Sequence, residues 1–115
     1  MIEVVNAKDN MPAIHTGEYV GRGNSRGRWR KSPLANTFKI GVDGDRDYVI
    51  AMYQRWLRNK VLHGDRAVLD ELARLASIVE RTGHLTLVCW CAPLPCHADV
   101  IKLAIEKVLP KEEYV

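Results

Sequence analysis

The chain lacks the features that mark membrane and secreted proteins. Apolar residues make up 47% of its 115 residues, but no apolar run approaches the roughly 20 residues that a membrane-spanning helix needs. The first ten residues do not show the basic and then apolar pattern of a signal peptide. We therefore predict a cytoplasmic protein that does not insert into a membrane.

Cysteine and net charge are also scarce. The three cysteines are an odd number and lie together between residues 89 and 96, which is not the pattern of a secreted disulfide framework. The net charge of +3 is too small to indicate nucleic-acid binding by itself. No internal repeat or low-complexity tract is present. This length suits one domain, and we predict a domain over residues 1–110 with a tail over 111–115.

Strand-like and helix-like segments alternate along the chain. We predict strands at 2–5, 18–20 and 85–91, where apolar and β-branched residues cluster. Helices are predicted after Asp45, between Asp65 and Gly83, and between the last strand and Pro110, because these residues are typical helix caps and breakers. The strand at 85–91 is apolar on both sides, which predicts cover on both faces. The predicted class is α/β: a single small three-layer domain with a short, mostly parallel sheet flanked by about three helices.

Residues 89–99 hold all three cysteines and one of the four histidines. This segment follows the buried strand and leads into the last helix. Ligands of open α/β sheets bind beyond the carboxyl ends of the strands. The amino terminus of a helix also favours anions and thiolates, because its N–H groups lack partners. We therefore expect a ligand crevice at this turn.

A catalytic interpretation of this segment centres on Cys96. The helix dipole and nearby cations are expected to lower the pKa of its thiol and make it a candidate nucleophile. His97 is the candidate base, although adjacent residues of a helix do not face one another. Asp99, three positions after Cys96, is expected to accept from backbone N–H groups as in a capping box.

Two other interpretations of the same residues stay open. Zinc accepts all four ligand types offered by Cys89, Cys91, Cys96 and His97, and strand alternation places the first two on one face. However, the spacing is not a usual zinc-finger spacing. A metal held by one short segment would also not link distant parts of the chain, as a structural zinc ion does. In the structural interpretation, Cys89 and Cys91 are small buried residues, Cys96 is a helix cap and His97 is a surface or capped side chain.

A second group of residues that suits an anion is a basic loop over residues 22–31. Its arginines and Lys31 alternate with glycines and with Trp29, which is an arrangement that can hold phosphates and stack a base. The glycine pattern does not match a P-loop or a dinucleotide fingerprint, and a mobile solvated loop is the alternative. Arg22 directly follows a predicted strand, so we expect it to reach the same crevice as Cys96. The basic residues are Arg22, Arg26, Arg28, Arg30 and Lys31.

The sequence CWCAPLPCHADV at 89–100 resembles the signature of a family of small bacterial and phage proteins, the domain of unknown function 4326. Stretches at 19–22, 32–38 and 43–57 are similar too, and the resemblance runs from about residue 2 to residue 108. The family more often has proline where Thr37 stands and glycine where Ala35 and Ala98 stand, and the basic insertion at 24–31 is unusual for it. The resemblance implies a compact α/β domain and no particular activity.

Three polar residues in the similar stretches are candidates for ligand binding. Ser32, Asn36 and Arg46 flank an irregular segment. In one interpretation they line a polar pocket. In the other they make hydrogen bonds within the loop, and Arg46 is an exposed cation in the first turn of a helix.

Trp90, at a strand-compatible position, is predicted to pack in the core together with Tyr53 and Trp56.

We predict a domain that binds a small anionic, nucleotide-like ligand in a crevice at the Cys/His turn. If the protein is an enzyme, transfer or hydrolysis on a nucleotide or nucleobase is expected, with Cys96, His97 and Asp99 as the reactive edge. The alternative is a non-catalytic module that holds zinc as its cofactor and binds nucleic acid through the basic loop. A third hypothesis is a structural or regulatory protein that acts through a partner surface.

Overall fold

The computed structural model describes residues 1–8, 17–22, 30–91 and 94–108. Within them the chain forms three strands and three helices, which confirms the α/β class. The predicted tail at 111–115 and most of the basic loop, including Arg26 and Arg28, lie outside the described residues. The strands are β1 Ile2–Asn6, β2 Glu18–Tyr19 and β3 Leu85–Cys89, and the helices are α1 Arg46–Leu62, α2 Arg66–Thr82 and α3 His97–Val108.

The sheet is parallel and has the order β1–β3–β2. Along the first pair the register runs from Ile2 opposite Leu85 to Asn6 opposite Cys89. On the other side of β3, Tyr19 lies opposite Val88. The prediction of a short parallel sheet is confirmed, and the carboxyl ends of all three strands lie at one edge, where parallel α/β sheets bind ligands.

The two faces of β3 have different surroundings. Leu85, Leu87 and Cys89 alternate onto one face and belong to the apolar core that they share with residues of all three helices. Thr86 lies on the other face, where its hydroxyl donates to Glu3 at 3.1 Å. Val88, on the same face as Thr86, is fully buried, and the three helices contact one another in every pair. The predicted small α/β domain, with a parallel sheet and three helices, is therefore confirmed.

The helix boundaries follow local capping signals. The side chain of Asp45 accepts from the Tyr48 N–H at 2.9 Å, and that of Asp65 accepts from the Val68 N–H at 3.0 Å. Gly83 ends α2 at a φ of 77°, a left-handed conformation that glycine adopts without strain. Helices α1 and α2 therefore begin and end where the sequence predicted. Among the described residues, no helix combines the length and apolar character that crossing a membrane would require.

Candidate functional site

A pocket of about 510 Å³ opens at the carboxyl end of β3. This is the edge at which the sequence predicted a crevice, and the pocket lies between the end of β3 and the start of α3. Part of its wall comes from the chain that follows β2 and part from the segment leading into α1. The lining residues are Gly21, Arg22, Asn36, Phe38, Lys39, Ile40, Val42, Val49, Ile50, Cys89, Trp90, Cys91, Cys96 and His97.

Some of the predicted ligand-binding residues support the frame of the pocket without lining it. The buried Ser32 hydroxyl accepts from the Leu34 N–H at 3.0 Å, and its own N–H donates to the Gly21 carbonyl at 3.0 Å. Arg46 donates through Nη1 to the Pro95 carbonyl at 2.9 Å. Ser32 therefore fixes the chain beside the pocket, and Arg46 joins the start of α1 to the turn that precedes α3.

Arg22 and Asn36 do line the pocket, as predicted. The Oδ1 atom of Asn36 accepts from the Phe38 N–H at 2.9 Å, which is the short-range bond of an Asx turn. Asn36 thus shapes the turn that presents Phe38 and Lys39 while its own side chain lies at the pocket wall. Both proposed roles of Asn36, pocket lining and loop hydrogen bonding, are present.

The thiols of Cys96 and Cys89 form a buried pair. The Cys96 thiol donates to the Cys89 sulfur, with the two Sγ atoms 3.4 Å apart. This hydrogen bond, together with burial, raises the pKa of Cys96. The shift is opposite to the one expected from the helix dipole, since a buried thiol that donates a proton to another sulfur is stabilised in its neutral form.

Asp99 holds the start of α3. Its Oδ2 atom accepts from the Cys96 N–H at 2.9 Å, and its own N–H donates to the Cys96 carbonyl at 3.1 Å. This is the capping arrangement that the spacing of the two residues predicted. Asp99 is not among the residues that line the pocket, so its visible role is to orient Cys96 and the first turn.

His97 is a neutral, oriented group in the pocket wall. Its Nε2 atom lies 2.7 Å from the Val20 carbonyl oxygen, and because a carbonyl only accepts, the Nε2 atom carries the proton. Burial lowers the pKa of His97. The ring also packs edge-on against Tyr53, with centroids 5.1 Å apart. With Nε2 donating, Nδ1 is left as the acceptor of the ring.

The zinc interpretation gains no support from the described residues. All four predicted ligands are described, yet among the described residues no group of three or more His, Cys, Asp or Glu side chains is arranged to hold a metal ion. His97 points Nε2 at the Val20 carbonyl, and Cys96 donates to Cys89. The segment therefore brings the cysteines together without forming a metal-binding set.

Trp90 differs from its predicted core position. It follows the last residue of β3, so strand alternation no longer applies to it, and it is 51% exposed. Its Nε1 atom donates to the Tyr19 hydroxyl at 3.0 Å, and its carbonyl accepts from Asn6 at 3.0 Å. Trp90 is therefore fixed at the pocket by hydrogen bonds from neighbouring strands, while Tyr53 is buried in the core as predicted.

Phe38 and Lys39 line the pocket, although neither was predicted to do so from the sequence. Both lie in the irregular segment before α1, and the Lys39 N–H donates to Asp43 Oδ2 at 2.7 Å. That contact closes a turn which presents Lys39 beside the pocket, where it joins Arg22 as a second cationic residue. The Asp43-Gly44 turn signal was visible in the sequence, but it did not show that the turn returns to the end of β3.

The model of the family named domain of unknown function (DUF4326) matches residues 4–107. This match covers most of the chain, so the protein belongs to that family. No curated protein and no solved structure matches the chain. Since the family carries no assigned activity, the function has to be argued from the pocket.

Proposed function

We propose that the pocket at the carboxyl end of β3 binds a small anionic, nucleotide-like ligand. The observation that carries this proposal is the meeting of two cationic residues, Arg22 and Lys39, with two aromatic residues, Phe38 and Trp90, around one pocket of about 510 Å³. This volume lies within the range of about 300–1,000 Å³ typical of small-molecule sites. A ligand with an anionic group and a flat apolar group matches both parts of that lining.

We expect the anionic group of the ligand to lie on the side of the pocket that Arg22 and Lys39 line. Arg22 and Lys39 offer charged donors, and charge-assisted hydrogen bonds to phosphate are stronger than neutral ones. The start of α3 is also part of the wall, through Cys96 and His97. A helix amino terminus adds partial positive charge at the same place.

We expect the flat apolar group of the ligand to lie against the ring of Trp90. Its ring is half exposed and is oriented by the hydrogen bond to Tyr19, whose hydroxyl in turn donates to the Arg22 carbonyl at 2.5 Å. A fixed and accessible indole is a suitable platform for a nucleobase, since stacking of a base on an aromatic side chain is worth about 1–3 kcal/mol. The Tyr19 contact also couples the aromatic residue to the residue that is expected to hold the anion.

The proposal is for binding and does not include nucleophilic catalysis by Cys96. The Cys96 thiol is buried and donates to Cys89, which does not suit a group that must react as a thiolate. Chemistry on the bound nucleotide or nucleobase would therefore have to use other groups. The alternative of a zinc-bearing module that binds nucleic acid has no support, because the metal-binding set is absent from the described residues and residues 23–29 lie outside them.

Isothermal titration with nucleoside monophosphates, the parent nucleosides and ribose 5-phosphate tests the proposal. We expect micromolar to millimolar binding of a monophosphate and weaker binding of each half alone. Arg22→Ala and Lys39→Ala should each weaken monophosphate binding by roughly 10- to 150-fold, since a hydrogen bond to a charged group is worth about 1.5–3 kcal/mol. Trp90→Ala should weaken the binding of the monophosphate more than that of ribose 5-phosphate.

Arg66→Ala is the matched control, because Arg66 is an exposed cation on α2 that pairs with Asp70 at 3.7 Å and does not line the pocket. This variant should bind like the unmodified protein. The proposal fails if no monophosphate binds at millimolar concentration, or if Arg22→Ala and Lys39→Ala bind as tightly as Arg66→Ala.

A further inference from the structure

We propose that Cys89 and Cys96 are a modification site, at which oxidation by a small peroxide forms a reversible disulfide in the pocket wall. The pair joins the last residue of β3 to the residue before α3. The inference does not depend on which ligand the pocket binds. Two observations support it, the distance between the two sulfur atoms and their place in the pocket wall.

The two sulfur atoms of the pair are in contact. The Sγ atoms are 3.4 Å apart, and a covalent bond needs about 2.05 Å, so the sulfurs must approach by roughly 1.4 Å. The chain between them leaves β3 after Cys89 and enters α3 only after Cys96. The two cysteines therefore lie at the ends of their elements, and an approach of Cys96 to Cys89 affects only the first turn of α3, where the Cys96 backbone bonds to Asp99.

The pocket gives access to the pair. Cys89 and Cys96 are 1% and 3% exposed, yet both contribute to the pocket lining. A molecule as small as hydrogen peroxide can approach by this route, whereas a bulky disulfide reagent is excluded by the burial of both sulfurs. Cys91 lines the same pocket and is only partly buried, so it is an internal comparison for oxidation that simply follows exposure.

The reaction balances with peroxide as the oxidant. Cys89 accepts the hydrogen bond of Cys96, which favours Cys89 as the thiolate of the pair. The Cys89 thiolate attacks a peroxide oxygen and breaks the O–O bond, which forms a sulfenic acid and releases hydroxide that takes up the displaced proton. The second cysteine then attacks the sulfenic sulfur, forms the S–S bond and releases a second water. In total, two thiols and one hydrogen peroxide give one disulfide and two waters, and a dithiol reductant reverses the oxidation by exchange.

The free energy needed to form the thiolate determines how fast the pair is oxidised, but it does not determine which oxidation product forms. Only the thiolate attacks peroxide, so formation of the disulfide should accelerate as the pH rises from 6.5 to 8.5. Once one sulfur is oxidised, its nearest thiol is the other member of the pair, which lies at contact distance. We therefore expect the disulfide to form in preference to further oxidation of a single sulfur.

The test is mass spectrometry of the full chain after treatment with hydrogen peroxide. We expect a mass lower by about 2 Da, since a disulfide removes two hydrogens, and one remaining thiol that reacts with an alkylating reagent after unfolding. Blocking free thiols, reducing and then labelling with a second reagent marks the bonded cysteines. Trypsin places all three cysteines in the peptide 82–102, so fragmentation of this peptide locates both labels.

Variants separate the pair from Cys91. Cys91→Ser should keep the mass loss, whereas Cys96→Ser should abolish it, and circular dichroism checks that each variant is folded. Peptide mapping of the unmodified protein gives the same answer without any substitution. The proposal is overturned if the second label appears on Cys91, or if Cys91 alone gains oxygen while Cys89 and Cys96 remain reducible thiols after complete reaction.

Discussion

The two ends of β3 use polar side chains in different ways. At the amino end, Glu3, His84 and Thr86 bond to one another on the surface of the sheet, with the His84 Nε2 atom 3.1 Å from Glu3 and 3.0 Å from Thr86. At the carboxyl end, Arg22, Asn36, Lys39 and His97 line a pocket of about 510 Å³ together with apolar and aromatic residues. His97 donates there to a backbone carbonyl and leaves its other nitrogen as an acceptor. At the amino end of β3 the polar side chains bond to one another, whereas at the carboxyl end they line a pocket.

This difference shows what a polar cluster needs before it can bind something else. Glu3, His84 and Thr86 consume one another's hydrogen-bonding capacity on an open surface, so they gain little from an external ligand. At the other end, buried contacts such as the Tyr53 hydroxyl to the Leu34 carbonyl at 2.6 Å support the pocket wall. A site that binds must have its side chains oriented by groups that are not themselves the ligand's partners.

Removing the buried support should have the largest effect. Tyr53 is fully buried, and it contacts both Leu34 and His97. Tyr53→Ala should lower the free energy of unfolding by about 3–5 kcal/mol, because it leaves a cavity beneath the pocket. Tyr53→Phe keeps the ring and removes only the hydroxyl, so it should cost about 1–2 kcal/mol. Urea unfolding followed by circular dichroism measures both, and equal effects of the two variants would contradict this account.

A smaller effect is expected from the protonation of His97. Burial lowers the pKa of His97 in the folded chain, whereas the unfolded chain has the ordinary value of about 6.5. Above that value neither state binds the proton and stability is at its maximum. As the pH falls below 6.5, the unfolded state takes up a proton first, so stability falls by up to about 1.4 kcal/mol per pH unit until the folded state is protonated too.

Urea unfolding at pH 7.5, 6.5 and 5.5 measures this dependence. His97→Gln should flatten the pH dependence, because it removes the group whose pKa is lowered in the folded chain. If this variant keeps the pH dependence of the unmodified chain, the burial of His97 does not determine it, and the contrast between the two ends of β3 is weaker than described.

The helix boundaries, like the α/β class and the parallel sheet, could be predicted from the sequence. Asp45 and Asp65 cap helices through bonds to residues three positions away, and Gly83 ends α2 through its own conformation. These signals are local, so they are visible in a single sequence. The place of the site was predictable for a similar reason, since a strand followed by a helix in a parallel sheet fixes the edge at which ligands bind.

The composition of the pocket was not predictable, because it depends on contacts between distant residues. Arg46 reaches the Pro95 carbonyl across 49 residues, which is not a contact that sequence spacing reveals. The direction of the Cys96 pKa shift depends on the 3.4 Å approach of Cys89. Trp90 was predicted to be buried because β3 was expected to continue through it, and the end of the strand at Cys89 removed the basis for that prediction.

The smallest effect is expected at the amino end of β3. Glu3→Ala removes a carboxylate that is about half exposed, as is its partner His84, and an exposed ion pair contributes about 0–1 kcal/mol. We therefore expect its free energy of unfolding to change by less than about 1 kcal/mol, several times less than for Tyr53→Ala. Nucleotide binding should not change, because Glu3 does not line the pocket. If Glu3→Ala lowers the free energy of unfolding as much as Tyr53→Ala does, then the polar groups at the amino end also support the core. The two ends of β3 would then not differ in the role of their polar side chains.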